Sequence, residues 1–525
     1  MKSRFIYLFL GFTIGLCLFF CNPSDLRNSG DTRSEASLER LLWQEFIRPL
    51  AVCDTTQFEY EPAYRSVTVR EALTPIQIIQ TRDKSIYVFG ISTFKPEKNL
   101  DADAFIGTED STTSRNAALF KFTANGALEW TRTIGLANTA GNAIGLIESD
   151  SGVYLTFSAS SSVGSPLNNF ISGFTNVAVF HMAKDGSILW NTYFGSNTGN
   201  NKAYSIAKLS NGDLVVGGET NSNGFSSFTG SVIKLSSTIP ENASFVMRLK
   251  PTGTGTWVHF FAGSTSTQIR TVEKVSVSST DTIYTYGFER EPLDVGYNQV
   301  VQNHTGTTPR KEFLIAQFDS DGKYLRHTFL LSGSSQASPI LPIPKESEIA
   351  NEMIFAGVTS AQFVGLDSVR VRNYQGSYDQ FVIKLNSTLN ASYVTYLGGP
   401  GADQGSIYKI FQDSRKDGYF VFSPFLFDPG YDTSFPGRAG YPTLGLIRLD
   451  STGNLLEYGF KAETEFNVPL TYTDTCDGGS LIGYYVGDAI DFSIAKYAKF
   501  RLSKTRPQIP IYRTYQDPFG QYPGK

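Results

Sequence analysis

Charge is scarce in this chain, and so are the residues that usually carry chemistry. Asp, Glu, Lys and Arg together make 18% of 525 residues, and the formal net charge is only -4. There is no large basic block, so the electrostatic footprint of a nucleic-acid binder is missing. The four histidines, His181, His259, His304 and His327, have no metal-like spacing such as H-x-x-x-H. No G-x-S-x-G elbow and no P-loop occurs. Cysteine is limited to Cys17, Cys21, Cys53 and Cys476, too few for a disulfide-built scaffold. At this length a large apolar core is available without one. These absences predict no catalytic residue, no metal site and no cofactor, and no nucleic acid among the partners.

What the chain has in plenty is strand and turn material. Aromatic residues make 14% of it, beside abundant Thr, Ser and Gly. The organising stretch is Val177–Gly195, VAVFHMAKDGSILWNTYFG. It reads as a strand, an Asp-Gly turn and a second strand carrying a Trp. Variants recur at Ala117–Gly135, Ser244–Gly263, Phe313–Gly333, Phe381–Gly399 and Leu444–Gly459. A second hairpin alternates with the first. Its clearest copy is Ala203–Thr220, and weaker ones lie at Asn142–Ser160, Thr271–Phe288, Ser406–Ser423 and Gly478–Gly487. Asn-Gly, Asp-Gly and Ser-Gly between alternating runs are hairpin signals because such turns need positive φ. Two hairpins make a four-stranded unit with a period of about 60–70 residues, as in propeller repeats.

Six complete units run from Ala117 to Gly487, and two pieces are left over. Pro75–Gln80 with Ile86–Ile91 is a hairpin without a first half. Asp491–Leu502 is a strand with nothing after it. If the two pair, they make a seventh unit and close a ring without exposed edges. The expected fold is therefore all-β, a seven-bladed β-propeller of four-stranded antiparallel blades spanning residues 67–503, closed by its N- and C-terminal strands. Residues 504–525 form a tail.

The first 66 residues read differently. Lys2 and Arg4 precede an apolar run, Phe5–Phe20, long enough for a signal-peptide core and short for a membrane span. The run ends at Leu18-Phe19-Phe20-Cys21, which resembles the looser lipobox of spirochaete lipoproteins. That resemblance makes residues 1–20 a signal peptide and Cys21 an acylated first residue, with Cys17 the poorer site. Acyl chains there would tether the protein to a lipid membrane of the cell envelope, the outer membrane being the expected one. Residues 21–33 form a polar tether. Residues 34–66 are a lead-in with one short helix, Ser34–Phe46, whose Leu38, Leu41, Leu42 and Phe46 share a stripe.

The repeat itself resembles bacterial propeller proteins with SBBP-type repeats. The resemblance lies in Trp190 to Gly195 and in Asn211-Gly212 to Gly218-Glu219-Thr220. It implies a propeller and an envelope location, and no shared reaction.

Several residues need a role. Trp130, Trp190 and Trp257 share one repeat position and are expected to pack between blades, with a sugar-stacking platform as the alternative. The histidines within repeat strands are expected at core or satisfied surface positions rather than as ligands. Asp319-Ser320-Asp321-Gly322 opens like a calcium loop but has no acidic residue further on, so it reads as a hairpin turn. Lys184-Asp185-Gly186 departs from a sialidase Asp-box, which has a residue between Asp and Gly. Cys53 and Cys476 flank the ring seam and are candidates for a disulfide in an exported chain. Buried free thiols are the alternative.

Binding is expected on one face. The short turns share one face of the ring, and the remaining connections share the other. The long segments Thr93–Asn116, Ser160–Asn176, Asn221–Ala243, Glu289–Glu312, Ser360–Tyr378 and Phe425–Thr443 all belong to that other face. Rich in Ser, Thr, Asn, Gly and Tyr, they suit adaptable recognition of a protein or glycan. They are expected to be trimmable without loss of folding. Two other functions fit the same chain: an envelope-assembly scaffold, and a hydrolase or lyase with a site in the central channel.

Overall fold

The strands of the computed structural model fall into seven sheets, each with a four-stranded antiparallel core. The residues described run from 58 to 514. Outside them lie residues 1–57, 61–72, 93–103, 107–115, 137–143, 236–242, 262–271, 290–292, 303–311, 332–339, 399–408, 413–417, 426–442, 463–466, 475–479, 487–498, 506–512 and 515–525, with a few single positions. The chain divides into two units, Met1–Thr55 and Thr56–Lys525, and every described residue belongs to the second. The expected helix, Cys21, Cys53, His304 and Cys476 all lie outside the described residues.

Sheet 1 comprises Leu73–Gln80, Ile86–Ser92, Asn116–Phe122 and Leu128–Leu136. Sheet 2 comprises Ile144–Glu148, Gly152–Ala159, Asn176–Ala183 and Ile188–Phe194. Sheet 3 takes Asn201–Lys208, Leu214–Thr220, Ala243–Leu249 and Gly255–Phe261. Sheet 4 takes Lys274–Val277, Ile283–Glu289, Glu312–Phe318 and Tyr324–Leu330. Sheet 5 takes Ile340–Ile349, Glu352–Thr359, Asp379–Leu385 and Ala391–Leu397. Sheet 6 takes Lys409–Gln412, Gly418–Phe425, Thr443–Asp450 and Leu455–Ala462. Sheet 7 orders Asn467–Asp474, Ser480–Val486, Lys499–Thr505 and, last, Phe58–Tyr60 from the other end of the chain.

Two expectations are corrected here. Each sheet begins with the hairpin read as the second half of a unit, so the repeat frame moves by one hairpin. The leftover pieces also do not meet. The hairpin Leu73–Ser92 joins Asn116–Leu136 instead. The C-terminal strand Lys499–Thr505 pairs with Ser480–Val486 and with Phe58–Tyr60, in the register Phe58↔Lys504 and Tyr60↔Leu502. Head and tail do share a sheet, but the head contributes one strand and the tail three. A three-residue strand has no periodicity to read, which is why the sequence hides it.

The strands are buried on both faces. All seven residues of Asn116–Phe122 are buried, as are all seven of Glu312–Phe318 and Asp379–Leu385. Apolar clusters fill the space between successive sheets. Phe89 and Leu119 of sheet 1 pack with Leu155 and Phe180 of sheet 2. Tyr286 and Ile315 of sheet 4 pack with Phe355 and Ile383 of sheet 5.

Among the described residues, nine hairpin turns repeat one geometry. The N–H of the first residue bonds the carbonyl four residues on, and the N–H of the fourth bonds the carbonyl of the first. That pattern leaves the fourth residue at positive φ. It is glycine in six turns and Lys84, Asp281 or Leu389 in three, with φ of 72°, 61° and 62°. Two of the three have compensation. Asp281 accepts bonds from Ser210 N at 2.8 Å and Ser210 Oγ at 2.5 Å, and Leu389 is buried in the core. Lys84 has neither. Replacing Lys84 by Gly is expected to raise the unfolding free energy by about 0.5–1 kcal/mol, after deducting glycine's extra freedom in the unfolded chain. Denaturant unfolding measures it.

The same turns lock each sheet to the one before it. Trp130 Nε1 and Lys121 Nζ of sheet 1 both donate to Lys184 O in the outer turn of sheet 2, each at 3.0 Å. Trp257 Nε1 and Arg248 Nη1 of sheet 3 donate to Ser320 O in sheet 4 at 3.0 and 2.7 Å. Trp190 Nε1 of sheet 2 reaches Pro251 O at 3.0 Å, and Gln317 Nε2 of sheet 4 reaches Ser387 O at 3.2 Å. The ring of Trp257 lies on Gly322 so closely that a methyl group there would come within 2.6 Å of it. Gly322 therefore serves twice, once for its φ of 80° and once for its missing side chain. The three tryptophans pack between sheets, as expected.

Candidate functional site: the connector belt

The long connectors do not stand clear of the sheets. Each described one runs along the outermost strand of its own sheet, parallel to it. Ala104–Ile106 pairs with Leu128–Leu136 in sheet 1, and Ser231–Lys234 with Gly255–Phe261 in sheet 3. In sheet 2, Leu167 N bonds Asn191 O and Tyr193 N bonds Asn168 O, at 2.8 and 3.3 Å. In sheet 4, His327 N bonds Gln299 O and Val301 N bonds His327 O, at 3.0 and 2.9 Å. In sheet 5, Val371 N bonds Val394 O at 2.8 Å. The physical reason is the edge: an outermost strand would otherwise present a row of free N–H and C=O groups. In sheet 6 the edge takes Arg513–Thr514 from the chain's C-terminal region.

The straps of sheets 2 and 5 are also anchored where they leave the second strand. Val163 N donates to the Tyr193 hydroxyl at 2.9 Å, and Asn191 Nδ2 donates to Val163 O at 2.7 Å. Phe363 N donates to the Tyr396 hydroxyl at 2.7 Å. Val163 and Phe363 are both buried. The returning end is held by the first residue of the third strand. Asn176 bonds both Ile171 N and Ile171 O, and Asp379 accepts from Gln375 N. Most other described residues of these connectors are partly or fully exposed, so the connectors are tied to the sheets at a few points rather than buried in them.

Neighbouring straps are stitched together. Ser226 N of the third connector bonds Gly195 O of sheet 2 at 2.8 Å. Leu235 of that connector packs against Gly296 of the fourth. Val364 N of the fifth bonds Leu331 O at 2.8 Å, and Gln302 Nε2 bonds Val364 O at 3.0 Å. The result is a belt across sheets 2 to 5. Seven large apolar side chains are exposed among the described residues, and six belong to the belt: Leu167, Val232, Leu235, Val300, Val301 and Val364. That concentration on connectors, rather than on strands, marks the belt as the candidate interaction surface.

No comparable cluster of titratable side chains stands out among the described residues. No family model matches the chain, and no curated protein matches it. Among solved structures, a polysaccharide lyase superposes with a TM-score of 0.41 at 8% identity, over 85% of this chain and 92% of the lyase. A Synechocystis apocarotenoid oxygenase gives 0.38 at 11% identity, over 90% and 98% of the two chains. A Pseudomonas brassicacearum lignostilbene dioxygenase gives 0.35 at 11% identity, over 85% and 93%. Superpositions this loose carry no inference about chemistry.

No group of three or more His, Cys, Asp or Glu is placed to hold a metal ion among the described residues. His181 Nε2 lies 2.9 Å from both Ser149 Oγ and Ser151 Oγ, and burial pushes its pKa down to about 4. Asp319 accepts Asp321 N and Lys323 N with one carboxylate oxygen, as a turn residue does. Glu289 and Glu312 are register partners and both buried, but each already has an interaction partner. No described helix is long and apolar enough to cross a membrane.

Proposed function

We propose that this chain is a lipid-anchored envelope β-propeller that binds a protein partner through its connector belt. The observation that carries the reading is the placement of six exposed apolar side chains on straps that also cover sheet edges. A strap can present such groups without exposing the strand beneath it, so recognition and solubility need not conflict.

Ring closure is part of this reading, and several features support it. The first strands of sheets 1 to 6 lie side by side in chain order, and the first strand of sheet 7 lies beside that of sheet 1. Ile86, Val88, Phe120 and Phe122 are fully buried, although they fall outside the cluster shared with sheet 2. Sheet 7 beside sheet 1 would cover that face. The SBBP-type repeat, the anchor at Cys21 and the Cys53–Cys476 bond belong to the same proposal. The belt replaces the open loop face as the recognition surface, and a protein rather than a glycan suits its aliphatic character. A central-channel enzyme and an assembly scaffold are the competing readings.

The test uses the full chain in its native envelope, with photo-crosslinking groups at Val232 and Val364 and, as control, at Asp185 on the turn side. A discrete protein adduct at the two belt positions and none at Asp185 is expected. Equal labelling at all three, or none at the belt, overturns the reading.

A further inference from the structure

The strap of sheet 4 is held differently from its neighbours. The straps of sheets 2 and 5 hang on the Tyr193 and Tyr396 hydroxyls, which do not titrate in ordinary conditions. The sheet 4 strap, residues 296–302, is held from both sides by buried histidines. From sheet 3, His259 Nδ1 donates to Gly322 O at 2.7 Å, and its Nε2 faces the Tyr297 hydroxyl at 2.9 Å. Tyr297 belongs to the strap, and its one hydroxyl proton serves either His259 Nε2, an acceptor in the neutral ring, or Phe260 O, which lies 2.9 Å away.

From sheet 4, the Tyr324 hydroxyl donates to Gln299 O of the strap at 2.9 Å. Its one proton is thereby used, so at 2.6 Å it must accept from His327 Nδ1–H. His327 Nε2 is left bare, buried and without a hydrogen-bond partner. The Tyr297 and Tyr324 rings meet edge to face at 4.9 Å, joining both halves into one cluster.

We infer that the sheet 4 strap is an acid-released latch, closed on two neutral imidazoles and opened by their protonation. The geometry supplies the reason. A proton on His327 Nε2 creates a buried N–H with no acceptor, and only opening the strap gives it water. A proton on His259 places a charge among Tyr297, Phe261 and Phe318, with no countercharge. The groups facing the imidazoles are these rings, Tyr324 and Phe329. Arg326, on the strand of His327, acts on Tyr324 by its charge. Among the described residues no carboxylate contributes at either imidazole.

The sign follows from linkage. Burial pushes His327 down to about 4 and His259 below its ordinary value. The closed strap therefore binds fewer protons than the open one between an open-state value near 6.5 and about 4. Closure is fully favoured above that window and weakens as pH falls through it. For His327 alone, the open-to-closed ratio rises about 20-fold on going from neutral to about pH 5. His181 titrates in the same window but holds the turn after Glu148, away from any strap. Opening would free Val300, Val301 and the edge of Tyr324–Leu330, so acid would alter the belt at its centre.

The test is hydrogen–deuterium exchange of the full-length protein at about pH 7 and about pH 5, corrected for intrinsic rates. The expected result is a loss of protection of about 20-fold at residues 296–302 relative to the straps at 163–171 and 363–371. The H259N/H327N variant is expected to show no pH dependence in that ratio. Unchanged protection at 296–302 overturns the inference, as does parallel loosening of all three straps. Retained pH dependence in the double variant also overturns it. The comparison in the unsubstituted protein stands even if the variant fails to fold.

Discussion

Trp257→Ala is expected to lower the unfolding free energy by about 3–5 kcal/mol. Trp257 is 3% exposed and packs in the cluster that joins sheets 3 and 4. Its ring fills the space that Gly322 leaves open, and no neighbour can collapse into it without moving the turn backbone. The lost area and the cavity therefore add. Trp257→Phe separates the two parts of the joint. It keeps most of the ring contact and removes the indole N–H from Ser320 O. That carbonyl still accepts from Arg248 Nη1, so the expected cost is only about 1 kcal/mol. Trp190 makes the equivalent bond to Pro251 O but is half-buried, so its alanine variant is expected to fall well short of Trp257→Ala. Chemical denaturation of the three variants checks the order. Equal costs for Trp257→Phe and Trp257→Ala would refute the packing account.

These joints were partly legible before any coordinates. An Asp-Gly or Asn-Gly pair fixes a turn because few residues tolerate positive φ, and a Trp recurring at one repeat position must serve the repeat. Both inferences hold at Gly126, Gly186, Gly212 and Gly322 and at the three tryptophans. The histidine reading holds as well, since His181, His259 and His327 are buried with polar partners. The frame of the repeat was not legible. Both hairpins of a unit end in similar turns, so periodicity cannot say which two share a sheet. The hairpin Ile340–Thr359 was hidden by Pro342 and Pro344, which sit where the register breaks between Ile340 and Lys345.

The belt was invisible for another reason. A polar, Ser-rich segment reads as a loop because composition reports solvent, not edges. A faint signal was there in Ser231-Val232-Ile233-Lys234, a β-branched pair inside a connector, now a parallel edge strand. Tyr193, three residues after Trp190, and Tyr396, three after Tyr393 whose ring lies on Gly453, were a second signal, since a buried hydroxyl needs a partner.

Arg248→Met is expected to cost about 3–5 kcal/mol, and most of that loss should come from what it leaves behind. Arg248 Nε and Nη2 hold Asp213 Oδ2 at 2.7 and 2.6 Å, while Nη1 crosses to Ser320 O in the next sheet at 2.7 Å. Asp213 is only 8% exposed, so without the guanidinium its carboxylate is a buried charge with its partner gone. Asp213→Asn removes that charge and leaves Arg248 with Ser320 O and with Asp321, whose side chain is exposed. It should therefore cost less than Arg248→Met. The double variant is expected to be more stable than Arg248→Met alone, by about 1–3 kcal/mol, because it no longer strands an anion. Denaturant unfolding of the cycle decides between two views of the inter-sheet joint. If the coupling is present, the ion pair fixes Arg248 in place and the bond to Ser320 O follows from it. Strict additivity would mean that the crossing bond stands alone, and the ion pair would then contribute nothing to how sheet 3 grips sheet 4.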